Sequence, residues 1–181
     1  HEIFYRKDKS PLPVSVVVTP LTSDEKETIG AVLSFRDMTS IQAYQEKIKQ
    51  LAYYDTLTGL PNRRLLNKYA ELALGLAQRN EHQFAIMFID LDKFKVVNDT
   101  YGHDQGDVVL NQIASYIREN FRSNDICCRI GGEEFIILTP TTNIDIGYTI
   151  AERLRKRLES TMIGSIGPVT VSIGIAHWPN D

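Results

Sequence analysis

Cysteine is nearly absent: there are two in 181 residues, and they are neighbours, Cys127 and Cys128. A disulfide framework or a cysteine-based metal centre needs spaced cysteines, so neither is expected. Adjacent residues on a strand point to opposite faces, which leaves packing as their role. Long apolar runs are also missing. The longest, Phe84 to Ile89, is far too short to cross a bilayer. There is no excess of either charge, with 20 Lys and Arg against 23 Asp and Glu and a formal net charge of −3. No basic surface follows from such totals, and duplex nucleic acid is not expected as a partner. An anionic ligand would have to be held locally, by a metal or by oriented backbone donors. No signal peptide opens the chain, and His1 stands where a start Met would, so the chain reads as a fragment. A reducing, cytoplasmic setting fits, with a membrane anchor elsewhere in the parent protein left open.

What is present is a globular balance, 43% hydrophobic and 24% charged, long enough for one domain and a smaller attachment. Three segments separate. Residues 1–39 read as strands: Pro13 to Thr19 is dense in β-branched residues, and Gly30 to Phe35 follows a polar turn from Thr22 to Thr28. Two or three strands are marginal alone, so this piece is expected to lean on a partner. It resembles the closing strands of a PAS sensor domain, which often end in an Asp-x-Thr element like Asp37-Met38-Thr39. The ligand pocket of such a domain would lie mostly upstream. Residues 40–54 carry Ile41, Tyr44, Ile48 and Leu51 at a/d spacing. That spacing suits a coiled-coil linker helix and equally a helix lying on its own domain.

From Asp55 to Asp181, helices and strands alternate. The patterns predict helices over Arg64–Ala77 (stripe Leu65, Tyr69, Leu72, Leu76), Asp107–Phe121 (stripe Val109, Ile113, Ile117, Phe121) and Ile144–Leu158. They predict a central strand, apolar on both faces, over Phe84–Asp92 and a last strand over Val169–Trp178. Ile126–Ile130 and Glu133–Thr139 flank Gly131-Gly132, which reads as a two-residue hairpin turn. Helices interleaved with a mixed sheet give an α+β or α/β domain.

Chemistry is expected at the end of the central strand. Alternation puts Phe84, Ile86, Phe88, Asp90 and Asp92 on one face. Two carboxylates closing an apolar strand are costly unless paired or metal-bound. A Gly131-Gly132 turn sets Ile130 opposite Glu133 and Arg129 opposite Glu134. Asp90 and Glu133 then meet at one sheet edge as oxygen ligands suited to Mg²⁺, the setting of metal-assisted phosphoryl transfer. The bland alternative is an acidic loop end with Glu134 paired to Arg129.

Residues 129–135, Arg-Ile-Gly-Gly-Glu-Glu-Phe, resemble the signature of the GGDEF family of diguanylate cyclases in its GGEEF form. Four further elements resemble the family in order: Asp55-Thr56-Leu57-Thr58-Gly59-Leu60-Pro61-Asn62-Arg63, then Phe88 to Asp99, then Tyr101 to Asp107, then Val171 to Ala176. The resemblance implies a ferredoxin-like palm of the nucleotide-cyclase and polymerase type, carried by residues 55–181. It implies condensation of two GTP into cyclic di-GMP and two pyrophosphates, with two Mg²⁺ (or Mn²⁺) per half-site. By position, Asp90 and Glu133 become metal carboxylates, the Leu91 carbonyl a third ligand, and Glu134 a ligand of the second metal. Glu133 and Glu134 are also the catalytic carboxylates. Gly131 and Gly132 leave room for phosphates, and Phe94 belongs to the substrate segment. Lys95 matches a phosphate contact, or is a solvated charge. Asn98 and Asp107 match the guanine readers, with helix capping as their alternative.

A two-fold symmetric product implies two facing domains, hence a homodimer that the 40–54 helix could hold. Arg122-Ser123-Asn124-Asp125 resembles the family's RxxD inhibitory site for cyclic di-GMP, with Arg153 as a second arginine; the alternative is an exposed Arg–Asp pair. His82, His103 and His177 show no ligand spacing, and Trp178 reads as a packing residue. The chain departs from the family by ending at Trp178-Pro179-Asn180-Asp181, without the final helix and its phosphate-binding lysine. Rival readings are a catalytically impaired GTP- or cyclic di-GMP-binding regulatory module, a related palm-like cyclase or polymerase, and a dimerisation module.

Overall fold

The computed structural model describes residues 2–24, 26–80, 83–122, 124–140 and 144–179. The chain divides into two compact units, His1–Gln50 and Leu51–Asp181. Among the described residues, no helix is long and apolar enough to cross a membrane.

In the first unit, β1 (Glu2–Tyr5), β2 (Pro11–Thr22) and β3 (Thr28–Asp37) form an antiparallel sheet in the order β1-β2-β3. The two predicted strands are present and longer than read. Val14 is buried, while Val17, Val18, Val32, Leu33 and Phe35 remain exposed. Asp37 ends β3 and accepts a hydrogen bond from the Thr39 N–H (2.8 Å), which starts helix α1 (Thr39–Tyr53). No residue of α1 is buried, and its a/d residues Ile41, Tyr44, Ile48 and Leu51 are all exposed.

The second unit contains α2 (Arg63–Asn80), β4 (Phe84–Leu91), α3 (Phe94–Tyr101), α4 (His103–Asn120), β5 (Ile126–Gly131), β6 (Glu134–Pro140), α5 (Ile144–Glu159) and β7 (Val171–Trp178). The sheet runs β5-β6-β4-β7, and every pair is antiparallel rather than mixed. Strand, helices, hairpin, helix, strand in that chain order, with this sheet order, is the ferredoxin-like α+β arrangement. It places β4 in the centre with both ladders satisfied.

One face of β4 is fully covered. Ala85, Met87, Ile89 and Leu91 are at most 1% exposed, and Met87, Ile89 and Leu91 share a core with Val109, Ile113 and Ile117 of α4 and Leu154 and Leu158 of α5. Burying each large side chain there contributes roughly 1.5–3 kcal/mol. The opposite face is covered at one end only. Phe84 stacks on Trp178 (5.6 Å between centroids, 2° between planes), beside Ile86, Leu138 and Ala73 of α2. Phe88, further along, is 40% exposed. The expectation of a strand apolar on both faces therefore fails where Asp90 lies, and that end is open.

Helix α2 buries Leu65 and Leu66, with Ala70 and Ala73 half-buried behind them, while Tyr69 and Leu72 are exposed. The predicted stripe holds at Leu65 and fails at Tyr69 and Leu72, where Ala70 and Ala73 turn inward instead; the side chain of Leu76 lies outside the described residues. Helix α4 begins at His103, four residues before the predicted Asp107, directly after the Gly102 junction with α3. Helix α3 was not foreseen.

The thiols of Cys127 and Cys128 are free and pushed up to about 12, by burial first and, at Cys127, by the nearby Asp125 carboxylate. At pH 8 only about one in 10⁴ is ionised. The native protein is therefore expected to resist maleimide labelling that goes to completion in urea; fast native labelling would contradict this packing.

Candidate active site

Asp90 closes β4 at the open end of its face, opposite Glu134 on β6 and Ser172 on β7. The hairpin register differs from the expected one. A bulge after Arg129 sets Arg129 opposite Phe135 and Gly131 opposite Glu134, so Gly132 and Glu133 form the turn. Gly132 has a φ of 50°, a left-handed conformation that glycine adopts without a Cβ penalty. Glu133 thus sits at the turn rather than in the ladder, and Glu134 is the direct strand neighbour of Asp90.

Electrostatics mark this point. Partial burial pushes the Asp90 carboxyl above its ordinary range, and the charges of Glu133 and then Asp92 push it further. No hydrogen bond to the Asp90 carboxylate is present among the described residues. Asp92 is different: Ser172 Oγ donates to its Oδ1 (2.6 Å), and bonds from Ser172 and Thr170 hold its carboxyl below the ordinary range. Asp92 is satisfied by the protein; Asp90 lies beside negative charge and has no donor among the described residues.

This donor set fits a divalent cation of the substrate-bridged kind. Among the described residues, no three Asp, Glu, His or Cys side chains converge into a closed metal cage. Magnesium uses one or two carboxylates and fills its octahedron with waters and phosphate oxygens, which matches Asp90 and Glu133. Leu91 is buried by its side chain, so only its carbonyl is available as a ligand.

Asp55, without an assigned role in the sequence reading, and Arg129, read there only as the alternative partner of Glu134, hold the turn. Arg129 donates from Nε and Nη2 to the Gly132 carbonyl (3.0 and 2.8 Å) and from Nη1 to Asp55 Oδ1 (2.9 Å). Asp55 Oδ1 also accepts from the Thr58 N–H (2.8 Å) and hydroxyl (2.6 Å). Burial opposes ionisation of Asp55, but the Thr58 and Arg129 bonds outweigh it and hold the carboxyl below its ordinary range. Arg129 is therefore committed to Asp55 and the turn carbonyl, and no Arg129–Glu134 pair is present among the described residues. Asn62 completes the strap: its side chain accepts from the Arg64 and Leu65 N–H groups and caps α2.

Below the strand, Lys93 takes a left-handed turn (φ 56°) into α3. The ring of Phe94 is 7% exposed and part of the core, so its contribution to a ligand is limited to its backbone. Lys95 is exposed. Asn98 lies within α3 and Asp107 within α4; the capping positions are Lys93 and Gly102, without side-chain caps. The capping alternative is thereby overturned for both.

Arg122, Asp125 and Arg153 line one cleft of about 310 Å³, with Asn120, Asn124 and Ile150. Asp125 accepts from the Arg122 N–H (2.8 Å) and the Thr139 hydroxyl (2.5 Å), not from the Arg122 guanidinium. The exposed Arg–Asp pair is thus absent among the described residues. Ser123 and His82 lie outside the described residues.

Comparison with known proteins agrees with this geometry. Residues 52–181 match the family described as "Diguanylate cyclase, GGDEF domain". The chain is 43% identical over 172 residues to the bifunctional diguanylate cyclase/cyclic di-GMP phosphodiesterase MucR of Pseudomonas aeruginosa, covering 94% of this chain and 24% of that protein. It is 38% identical over 131 residues to a diguanylate cyclase of Vibrio cholerae, covering 72% and 41%. Among solved structures, the coiled coil and GGDEF domain of DgcB from Caulobacter crescentus in complex with c-di-GMP superposes with a TM-score of 0.72 at 28% identity, covering 77% of this chain and 76% of that one. The chain belongs to the GGDEF diguanylate-cyclase domain family. It spans well under half the length of these curated relatives.

Proposed function

We propose that residues 55–181 are the catalytic domain of a diguanylate cyclase that condenses two GTP into cyclic di-GMP and two pyrophosphates. The observation that carries this reading is the Asp90 carboxylate, unpartnered among the described residues at an open end of the sheet face and pushed up by burial first, then by Glu133 and Asp92. Bound Mg²⁺ or Mn²⁺, two per half-site, would supply charge neutralisation at the attacking and leaving oxygens. Asp90, Glu133 and the Leu91 carbonyl hold one ion, and Glu134 serves the second. The Gly131–Gly132 backbone and the start of α3 leave room for the phosphates, with Lys95 reaching them from an exposed position. Asn98 and Asp107 read the guanine edge: the carboxylate accepts from its N–H donors, and the amide donates and accepts. In each half-reaction the 3′-oxygen of one GTP bonds to the α-phosphorus of the other. The bond to pyrophosphate breaks and the hydroxyl proton is released.

Because each domain holds one GTP, the reaction needs two facing domains. The exposed stripe Ile41, Tyr44, Ile48 and Leu51 supports a dimerising linker over residues 40–54. Residues 1–39 are read as the end of a PAS-like sensor, and the domain as cytoplasmic, where GTP is available. The Arg122, Asp125 and Arg153 cleft supports product inhibition: two guanidinium groups suit the phosphates and guanine edges of cyclic di-GMP.

The test is incubation with GTP and Mg²⁺ and chromatographic separation of the nucleotides, with and without added cyclic di-GMP. Cyclic di-GMP should form, and added product should slow the wild type but not Arg122→Ala. Guanine-nucleotide binding without product would refute the cyclase reading in favour of a regulatory module.

A further inference from the structure

Gly106 occupies the interior of α4, with its N–H bonded to the Gly102 carbonyl (3.2 Å) as in any helical turn. Glycine is unfavourable there relative to alanine, because it loses more conformational freedom and gains no packing. Its presence calls for a spatial reason, and the neighbouring helix supplies one. A Cβ at position 106 would lie 1.9 Å from Asn98 Oδ1, 3.1 Å from Asn98 Cγ and 3.2 Å from Phe94 Cζ. The Phe94 ring is fixed in the core. The Asn98 amide is the end of a side chain that makes no hydrogen bond to the protein among the described residues. It would be the group to move.

We propose that Gly106 is a specificity-determining position: by leaving a Cβ-sized space, it fixes the Asn98 amide in the orientation that recognises the base of the nucleotide. This rests on the reading of Asn98 and Asp107 as guanine contacts. Asp107, the next residue, is exposed on α4 beside the same helix crossing. It is Asn98 Oδ1 that lies where a Cβ would stand, so the glycine seats the acceptor end of the amide and leaves the Nδ2 end to donate. An amide that can rotate presents donor and acceptor interchangeably and accepts adenine as readily as guanine. A locked amide discriminates. Gly106 does not touch the reacting atoms and acts only through Asn98.

The experiment measures dissociation constants of GTP, ITP (which lacks the 2-amino group) and ATP in the presence of Mg²⁺. The proteins are wild type, Gly106→Ala, Asn98→Ala and the double variant. Gly106→Ala should weaken GTP by roughly tenfold or more while changing ATP little, collapsing the preference. The double variant should be no worse than Asn98→Ala alone, because both changes remove one interaction. Thermal stability should change little, since alanine's helix preference offsets the small shift that the Phe94 ring must make. If Gly106→Ala does not fold, Phe94→Leu/Gly106→Ala, compared with Phe94→Leu alone, frees the core side and keeps the Asn98 clash. An unchanged GTP-to-ATP preference in Gly106→Ala, or independent losses in the double variant, would overturn the role of Gly106. Wild type that does not prefer GTP would instead overturn the guanine reading itself, and the inference with it.

Discussion

Asp90→Asn is expected to abolish cyclic di-GMP formation and, in the absence of metal, to raise the melting temperature of the domain. The two effects have one cause. The carboxylate lies beside Glu133 and Asp92 without a donor of its own, so the metal-free fold tolerates its charge rather than profiting from it. Asparagine keeps the shape and removes the repulsion. The sign follows from the raised carboxyl: the folded state binds this proton more readily than the unfolded chain. The destabilisation is therefore full above the folded-state value and is relieved as pH falls through it. The gain from Asp90→Asn should be present at neutral pH, amount to a few degrees at most, and fade in acid as wild-type Asp90 takes up its proton. Mg²⁺ with GTP should reverse the order by stabilising the wild type and not the variant. Loss of turnover should be about 10²–10³-fold or more, the scale of removing a pre-placed electrostatic stabiliser. Retained product, or a lower melting temperature, would count against the metal-site assignment of Asp90.

Much of this centre was readable because strand alternation is a strict rule. Once Phe84 to Asp92 is taken as a strand, Asp90 must share a face with Phe88, and the structure leaves that end open. Helix α4 was equally legible, since bulky residues at Val109, Ile113 and Ile117 mark its buried side. Where the reading failed, the deciding term was tertiary. Helix α3 is two turns of Phe-Lys-Val-Val-Asn-Asp-Thr-Tyr, with β-branched residues that local propensity would not make helical. Its form depends on the Lys93 turn and on Phe94 entering the core. The hairpin was placed correctly but paired one residue out. A Gly-Gly pair suggests a symmetric turn, yet the bulge at Ile130 moves it onto Gly132 and Glu133. The partnership of Asp55 with Arg129 joins residues 74 positions apart, and nothing in a single sequence links them. Arg153, by contrast, was joined to Arg122 through the family resemblance, and the packing of α5 does bring it to the same cleft.

That partnership carries the second large expected effect. Asp55→Ala should destabilise the second unit by about 2–3 kcal/mol, or roughly 6–12 °C of melting temperature. The side chains of Arg129 and Asp55 are 11% and 23% exposed, and Thr58 is 3% exposed. Removing the carboxylate leaves the Thr58 N–H and hydroxyl and one Arg129 nitrogen without their acceptor, in a place where water cannot fully replace it. Asp55 is the mirror case of Asp90 in its pH response. Its carboxyl is held below the ordinary 3.8, so its stabilisation is intact above that value and is lost only as pH falls through the folded-state value. The deficit of Asp55→Ala should therefore be constant across the neutral range and disappear in strong acid. Arg129→Lys separates stability from placement. A lysine can still face Asp55, but it cannot at the same time donate twice to the Gly132 carbonyl as the guanidinium fork does. The variant should keep most of the stability while Glu133, on the turn so held, loses its fixed position near Asp90. Turnover should fall with GTP affinity little changed, and the Mg²⁺ concentration needed for half-maximal rate should rise. A loss confined to stability in both variants, with turnover and metal dependence untouched, would reduce the strap to a purely structural clasp.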